Sequence, residues 1–321
     1  MPTAPSAITD PQHWHAVKLP DDHPHRKYRP RYRTLITEDQ LIWPDEDIGS
    51  TLYLGTHMPH WLAEPQLRGF LARQPVRLFV SHRRLAPRRT LPRAVVPWAL
   101  DSGAYSELYL YGEWRTDAAA YAAAVRRYYD QIGLLEFACP QDWMCEPWIL
   151  RRTGLTVEEH QLRTVENYLN LQYADPDLPW VPVLQGWTRD DYLRGVEIYA
   201  NYGFDLSLHP VVGLGSMCRR HNTAEALRII EALREIGITR LHGFGFKTRG
   251  LEKAHHLLVS ADSLAWSYSA RRADALPGCT HRSCANCLRY ALAWRQRILR
   301  RMPEWHQMTL LDSTMPQCQV V

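Results

Sequence analysis

No apolar run approaches the roughly 18 residues a membrane-spanning helix needs, so no transmembrane segment and no membrane partner is expected. The first fifteen residues lack the charged-then-apolar pattern of a secretory signal. Cysteine is sparse and odd in number, seven in 321 residues. That argues against a disulfide scaffold and favours a reducing, cytoplasmic setting. No repeat of fixed period is visible, so a solenoid is not expected. The nearest glycine cluster, Gly243-Phe244-Gly245, has no third glycine at the spacing a dinucleotide fold requires. What remains is an ordinary globular composition. With 45% hydrophobic and 22% charged residues, the chain can bury a core, and whole-chain disorder is excluded.

Acidic residues are missing from two segments. Between Gln66 and Leu100 there is none, against eight arginines: Arg68, Arg73, Arg77, Arg83, Arg84, Arg88, Arg89 and Arg93. Between Ala275 and Pro303 there is again none, against Arg282, Arg289, Arg295, Arg297, Arg300 and Arg301. The modest net charge of +4 hides this segregation, because the remainder carries 24 basic against 34 acidic residues. A third basic run, His25–Arg33, interleaves arginine with tyrosine. The guanidinium fork donates two parallel hydrogen bonds to a phosphate. Segregated arginine with aromatics is the footprint of a nucleic-acid binder, a plain solvated surface being the alternative.

Residues 1–50 are rich in proline and histidine and read as an irregular N-terminal arm. Beyond them, short β-prone runs recur at Thr51–Leu54, Arg77–Ser81, Val95–Asp101, Leu134–Cys139, Trp180–Gln185, Val211–Gly213, Arg240–Gly243 and Leu257–Asp262. Segments of helical spacing lie between most of them: Asp117–Tyr129, Thr156–Tyr173, Arg189–Tyr202, Thr223–Ile236 and Leu251–His256. Alternating strand and helix predicts βαβ units, and about eight of them predict an α/β chain with a (β/α)8 TIM-like barrel at 51–274. In such a barrel chemistry gathers where strands end. Asp101-Ser102-Gly103, Pro140-Gln141-Asp142, Gln185-Gly186, Gly213-Leu214-Gly215-Ser216, His242-Gly243 and Asp262-Ser263 stand there. An aspartate at a strand end also serves as a helix cap, and a glutamine as a turn residue. Glycines in these positions would let a planar ligand approach the backbone. His242, His255 and His256 are assigned packing or surface roles.

Residues 275–321 read as a metal-binding subdomain with a C-terminal helix over Leu288–Arg301. Cys279, His281, Cys284 and Cys287 place four soft ligands within nine residues, a closed set of the structural zinc type. His306 could replace His281 or Cys287 as the fourth ligand. Cys139, Cys145, Cys218 and Cys318 have no such partners.

Taken together, these motifs resemble the tRNA-guanine transglycosylase superfamily over roughly residues 95–300. The family's D-S-G-G-F motif looks like Asp101-Ser102-Gly103-Ala104-Tyr105, and its base-binding aspartate looks like Asp142. Its V-Q-G turn looks like Leu184-Gln185-Gly186, and its G-G-L stretch looks like Val212-Gly213-Leu214-Gly215-Ser216. The nucleophile strand looks like Ser260-Ala261-Asp262-Ser263, and the zinc motif looks like Cys279–Cys284 with His281 for the middle cysteine. Gly103-Ala104 departs from Gly-Gly. The zinc set is compact, and the sequence ends soon after its helix with no RNA-binding appendage. That combination is closest to the DpdA-like DNA-guanine transglycosylases of deazapurine DNA-modification systems.

The resemblance implies replacement of guanine in DNA by a 7-deazaguanine such as 7-cyano-7-deazaguanine. Retention at C1′ implies two displacements through a covalent intermediate. Asp262 would be the nucleophile and Asp101 the general base. Asp142 would read the N1–H and 2-amino edge of guanine. Gln185, Gly186 and the backbone at Gly213 and Leu214 would bind O6 and the 7-substituent, beside Ser102, with Tyr105 stacked on the base. The target nucleotide must be flipped out, with Arg83, Arg84, Arg88, Arg89, Arg271 and Arg272 on flanking phosphates. The rivals are a tRNA-guanine transglycosylase, a glycoside hydrolase barrel and a non-catalytic zinc-containing nucleic-acid-binding subunit. A homodimer or a helper subunit is a further possible partner.

Overall fold

A computed structural model describes residues 51–70, 76–218, 220 and 222–302. The N-terminal arm, His306 and Cys318 lie outside the described residues. Among the described residues, eight strands alternate with helices. The strands are β1 (Thr51–Thr56), β2 (Arg77–Ser81), β3 (Trp98–Asp101), β4 (Leu135–Ala138), β5 (Val183–Leu184), β6 (Val212–Leu214), β7 (Leu241–Gly243) and β8 (Ser260–Ser263). Every run expected to be β-prone overlaps one of them, with β1, β6 and β8 running one or two residues further. The helices are α1 (His82–Leu85), α2 (Ala104–Tyr111), α3 (Ala118–Ile132), α4 (Pro147–Thr153), α5 (Val157–Ala174), α6 (Arg189–Asn201), α7 (Ala224–Glu235), α8 (Thr248–Ala254), α9 (Ala265–Ala270) and α10 (Leu288–Arg300). α1, α2, α4 and α9 are too short to leave a legible period in the sequence. The long helices announce themselves by their caps. Thr156 with Glu159, and Thr188 with Asp191, form reciprocal capping boxes at the starts of α5 and α6.

All strand pairs are parallel, and the order is β4-β3-β2-β1-β8-β7-β6-β5. The sheet is curled. Phe137 on β4 lies 5.2 Å, centroid to centroid, from His242 on β7, and Phe79 on β2 lies 5.7 Å from the same ring. Strands so far apart in the order meet only across a concave face. That inner face is packed with Tyr53, Phe79, Ala99, Phe137, Cys139, Val181 and Val211. The outer face buries the larger core under the helices, where Leu54, Leu78, Trp98, Leu184 and Leu214 lie. Apolar side chains on both faces are what an all-parallel sheet requires. Between β4 and β5 there is no ladder, but the chain entering β5 touches β4. Ala138 N–H donates to Pro179 O at 2.8 Å, and Val181 N–H donates to Ala138 O at 3.1 Å.

One register slip matters inside the sheet. Trp98 pairs with Leu135 and Ala99 with Phe137, so Glu136 is the extra residue of a β-bulge. Its carboxylate accepts from Tyr53 Oη at 2.7 Å and Arg77 Nε at 2.9 Å. α10 lays Tyr290, Ala291, Trp294 and Ile298 into the larger core.

Candidate active site and metal centre

The C-terminal ends of β3, β6 and β8, with the turns after β4 and β5, bring the expected site residues together. Period-two alternation sets which side chains face inward. On β8, Ala261 packs outward while Ser260 and Asp262 face the concave side. Asp262 is buried, and its Oδ1 accepts from Gly245 N–H at 2.8 Å. At the end of β3, Asp101 Oδ1 accepts from Gly103 N–H at 3.0 Å. Gly103 has φ +85°, a left-handed conformation that favours glycine. A Cβ there would also sit 2.9 Å from Arg83 Cγ. Burial, aided by the neighbouring Asp262, pushes the Asp101 carboxyl above the usual carboxylate range, against opposing hydrogen bonds from Gly103 and Ser81.

Asp142 follows β4 in a tight network. Ser102 Oγ donates to its Oδ1 at 3.2 Å, and Gln185 Nε2 donates to its Oδ2. Burial, and then repulsion by Asp101, raises its pKa to about 7. Gln185 is held at its other end as well. Ser216 Oγ lies 2.6 Å from Gln185 Oε1 and 3.1 Å from Glu146 Oε2, and accepts from Cys145 N–H at 2.7 Å. Its single proton serves the nearer oxygen. Ser216 has φ +53°, uncommon for a residue with a side chain, and those contacts hold it there. The buried Asp142 and Asp262 and the half-buried Asp101, with Gln185 and Ser102, thus form one polar cluster. Such an arrangement suits proton transfer and recognition of a donor-bearing ring edge.

Several expected residues have a different local role from the one the sequence suggested. The Gly213 N–H donates to Pro182 O at 2.8 Å within the sheet, so it is not a spare donor. Its missing side chain makes room for Phe244, whose ring would lie 2.5 Å from a Cβ, and not for a ligand. Leu214 is fully buried in the outer core, and its carbonyl accepts from Phe244 N–H at 3.3 Å. Gly186 is packed against Asp191 and Tyr192 of α6. Tyr105 opens α2 half-buried, its ring stacked on Tyr109 at 5.7 Å. Ser216 and Glu146 are part of the site network without having been singled out as site residues. Glu146 left no signal, because a glutamate before a helix reads as an ordinary first-turn acid.

The second cluster lies between α9 and α10. Among the described residues, the ligand atoms of Cys279, His281, Cys284 and Cys287 all lie within 4.8 Å of one another. His281 Nε2 is 3.2 Å from Cys284 Sγ, which is 4.0 Å from Cys279 Sγ. Tetrahedral zinc–thiolate bonds place ligand atoms about 3.8 Å apart, so the set fits such an ion. Leu276 N–H donates to Cys284 Sγ at 3.3 Å, and the Arg289 guanidinium lies 3.7 Å from Cys279 Sγ. Donors aimed at sulfur are what thiolates need. Two of the three candidates for the uncertain fourth position, His281 and Cys287, are in the cluster, and the third, His306, lies outside the described residues.

Residues 48–319 match the model of the family DpdA, described as DeoxyPurine in DNA protein A. The chain belongs to the DpdA family. A search of curated proteins finds no match to it. Membership in the DpdA family supports a transglycosylase-type enzyme with a role in deazapurine modification of DNA.

For a DpdA member the arginines bear on where a DNA strand would lie. Arg83 sits beside Asp101, and its Nη1 is buried with no hydrogen-bond partner among the described residues. Arg84 and Arg271 both lie near His57, whose pKa is depressed by burial first and then by these two charges. Arg272 stacks its guanidinium 3.5 Å over the Tyr268 ring. Arg88 and Arg89 are exposed beyond α1, their carbonyls held by the Arg127 guanidinium at 2.7 and 2.9 Å. Two other arginines of the acid-free segments do not face solvent. Arg77 is paired with Glu136, and Arg295 is buried near it. No helix among the described residues is long and apolar enough to cross a membrane.

Proposed function

We propose that this chain exchanges guanine in DNA for a 7-deazaguanine, such as 7-cyano-7-deazaguanine, by double displacement on Asp262. The observation that carries the reading is the polar cluster of the half-buried Asp101 with the buried Asp142, Gln185 and Asp262 at the strand ends of a DpdA family chain. In the first step Asp262 Oδ2 attacks C1′, and the C1′–N9 bond breaks. The departing guanine takes a proton from the Asp101 carboxyl, whose raised pKa suits it to carry one. In the second step the Asp101 carboxylate removes the N9 proton of the incoming base. N9 then attacks C1′ and displaces Asp262. Gly245 N–H, bound to Oδ1, leaves the other oxygen free for attack.

Asp142 accepts from N1–H and the 2-amino group, and the remaining N–H of Gln185 meets O6. Ser102 steadies Asp142, and Tyr105 covers the base. Gly186, Gly213 and Leu214 shape this wall from the backbone. Arg83, Arg84, Arg271 and Arg272 hold phosphates around a flipped nucleotide, with Arg88 and Arg89 further along the strand. A cleft of about 330 Å³ lined by Lys247, Arg249 and Tyr268 beside Arg272 offers the strand a path. We further read the curled sheet as a closed (β/α)8 barrel over 51–274, sealed at the Ala138–Trp180 bridge. The segment from residue 275 through α10 to residue 302 is then part of a subdomain held by a structural zinc on Cys279, His281, Cys284 and Cys287, the expected remainder to 321 lying outside the described residues. When bound, the zinc supplies folding stability and no catalytic chemistry.

The test gives purified protein labelled-guanine duplex DNA and, separately, labelled tRNA, each with excess 7-cyano-7-deazaguanine. Label loss from DNA, abolished by Asp262→Ala with DNA affinity within a few-fold, is the expected result. Loss from tRNA alone would keep the chemistry and overturn the polymer. Exchange by Asp262→Ala would remove it as nucleophile.

A further inference from the structure

His242 is fully buried on the concave face of β7. Four aromatic rings enclose it: Phe244 at 4.8 Å, Phe137 at 5.2 Å, and Tyr53 and Phe79 each at 5.7 Å. Register and strand period explain its polar neighbours. His242 pairs with Ser260 across β7 and β8, and Asp262 lies two residues further along the same face. Its Nδ1 is 2.7 Å from Ser260 Oγ, and its Nε2 is 3.5 Å from Asp262 Oδ1. Nε2 is buried and makes no hydrogen bond of ordinary length among the described residues.

Burying an imidazole in an aromatic box costs free energy that a phenylalanine would not. The tautomer follows from the neighbours. If Nδ1 carried the proton, Nε2 would aim a lone pair at a carboxylate. The Ser260 hydroxyl proton would also lose its acceptor. Ser260 therefore donates to Nδ1, and Nε2 carries an N–H directed at Asp262. At 3.5 Å that donor is just beyond bonding range, and a shift of the carboxylate by about half an ångström closes it.

We propose that His242, oriented by Ser260, is a positioning residue for Asp262. Its Nε2–H and the Gly245 N–H together hold Oδ1, so that Oδ2 points at C1′. It touches no substrate. This rests on the reading of Asp262 as nucleophile.

The experiment measures base exchange on DNA by wild type, His242→Phe, His242→Gln and Ser260→Ala. Each protein's fold is checked by melting. Phenylalanine fills the aromatic box without the donor, and glutamine restores an N–H near the Nε2 position. His242→Phe is expected to lower kcat by about 10- to 100-fold, the range of one hydrogen bond to a charged group, with KM for DNA and base unchanged. His242→Gln should recover most of that loss. Ser260→Ala should lower kcat several-fold in the wild-type background and have no further effect on His242→Phe. If the phenylalanine variant does not fold, the proposal is read from Ser260→Ala and His242→Gln instead: a Ser260→Ala protein with wild-type kcat, or a folded His242→Gln protein without exchange, overturns it. A wild type that exchanges bases while His242→Phe keeps its kcat overturns the proposal alone. So does a glutamine variant no better than phenylalanine, or an additive Ser260→Ala effect. A wild type that exchanges nothing overturns the nucleophile reading and this proposal with it.

Discussion

Asp142 is the residue whose chemistry is most sensitive to its surroundings. Its pKa of about 7 lies above that of an unfolded aspartate, because burial and Asp101 both penalise the charge. A raised carboxylate pKa means the native state holds more protons than the unfolded chain between the two values. Its contribution to stability therefore falls as pH rises from about 4 to about 7. Asp142→Asn removes that penalty. The variant should melt higher than wild type at pH 8 by roughly 2–4 kcal/mol of stability, and the gap should shrink by pH 6. The half-buried histidines His82 and His209, both lowered to about 4, oppose this in acid but are common to both proteins. Function should run the other way. The ionised carboxylate accepts from the guanine edge, so KM for the incoming base should fall between pH 6 and pH 8. A pH-independent KM would deny Asp142 that role.

At the scale of elements, the Cys/His cluster that could hold a metal lies between the end of α9 and the start of α10. Cys284 is wholly buried in the core that both helices share, and Ser267 Oγ donates to Ala285 O at 2.8 Å across the junction. Cys284→Ser should release about one zinc per chain and lower the melting temperature by roughly 5–10 °C, measured by metal analysis and calorimetry. Equal stability with and without metal would sink the structural zinc. This element was legible in advance because ligand spacing is local. The strand ends were legible for the same reason, since Asp101, Asp142, Gln185 and Asp262 each follow an apolar run. The bonds among them were not, because they join residues far apart in sequence. Gly213 shows the limit. A glycine at a strand end suggests room for a ligand, and only the fold reveals Phe244 in that room. His242 shows it again, since its Ser260 and Asp262 partners come from strand register, which local sequence does not display.

For the whole molecule, the segregated charge resolves into two uses. Arg77 and Arg295 are internal, whereas Arg84 on α1 and Arg271 at the end of α9, distant in sequence, both lie near His57. Phosphate contacts release counterions, so Arg84→Ala combined with Arg271→Ala should weaken DNA binding uniformly across sequences. The double variant should reduce the salt slope of log Kd by about 2. kcat at saturating DNA should stay near wild type, and an unchanged slope would remove both arginines from the interface. Gln185 has a wider consequence. Its amide is fixed at one end by Asp142 and at the other by Ser216, which is itself anchored to Cys145. An amide so clamped cannot turn over to offer the opposite pattern to adenine. In this reading the enzyme's error rate is settled when the chain folds, before any base arrives.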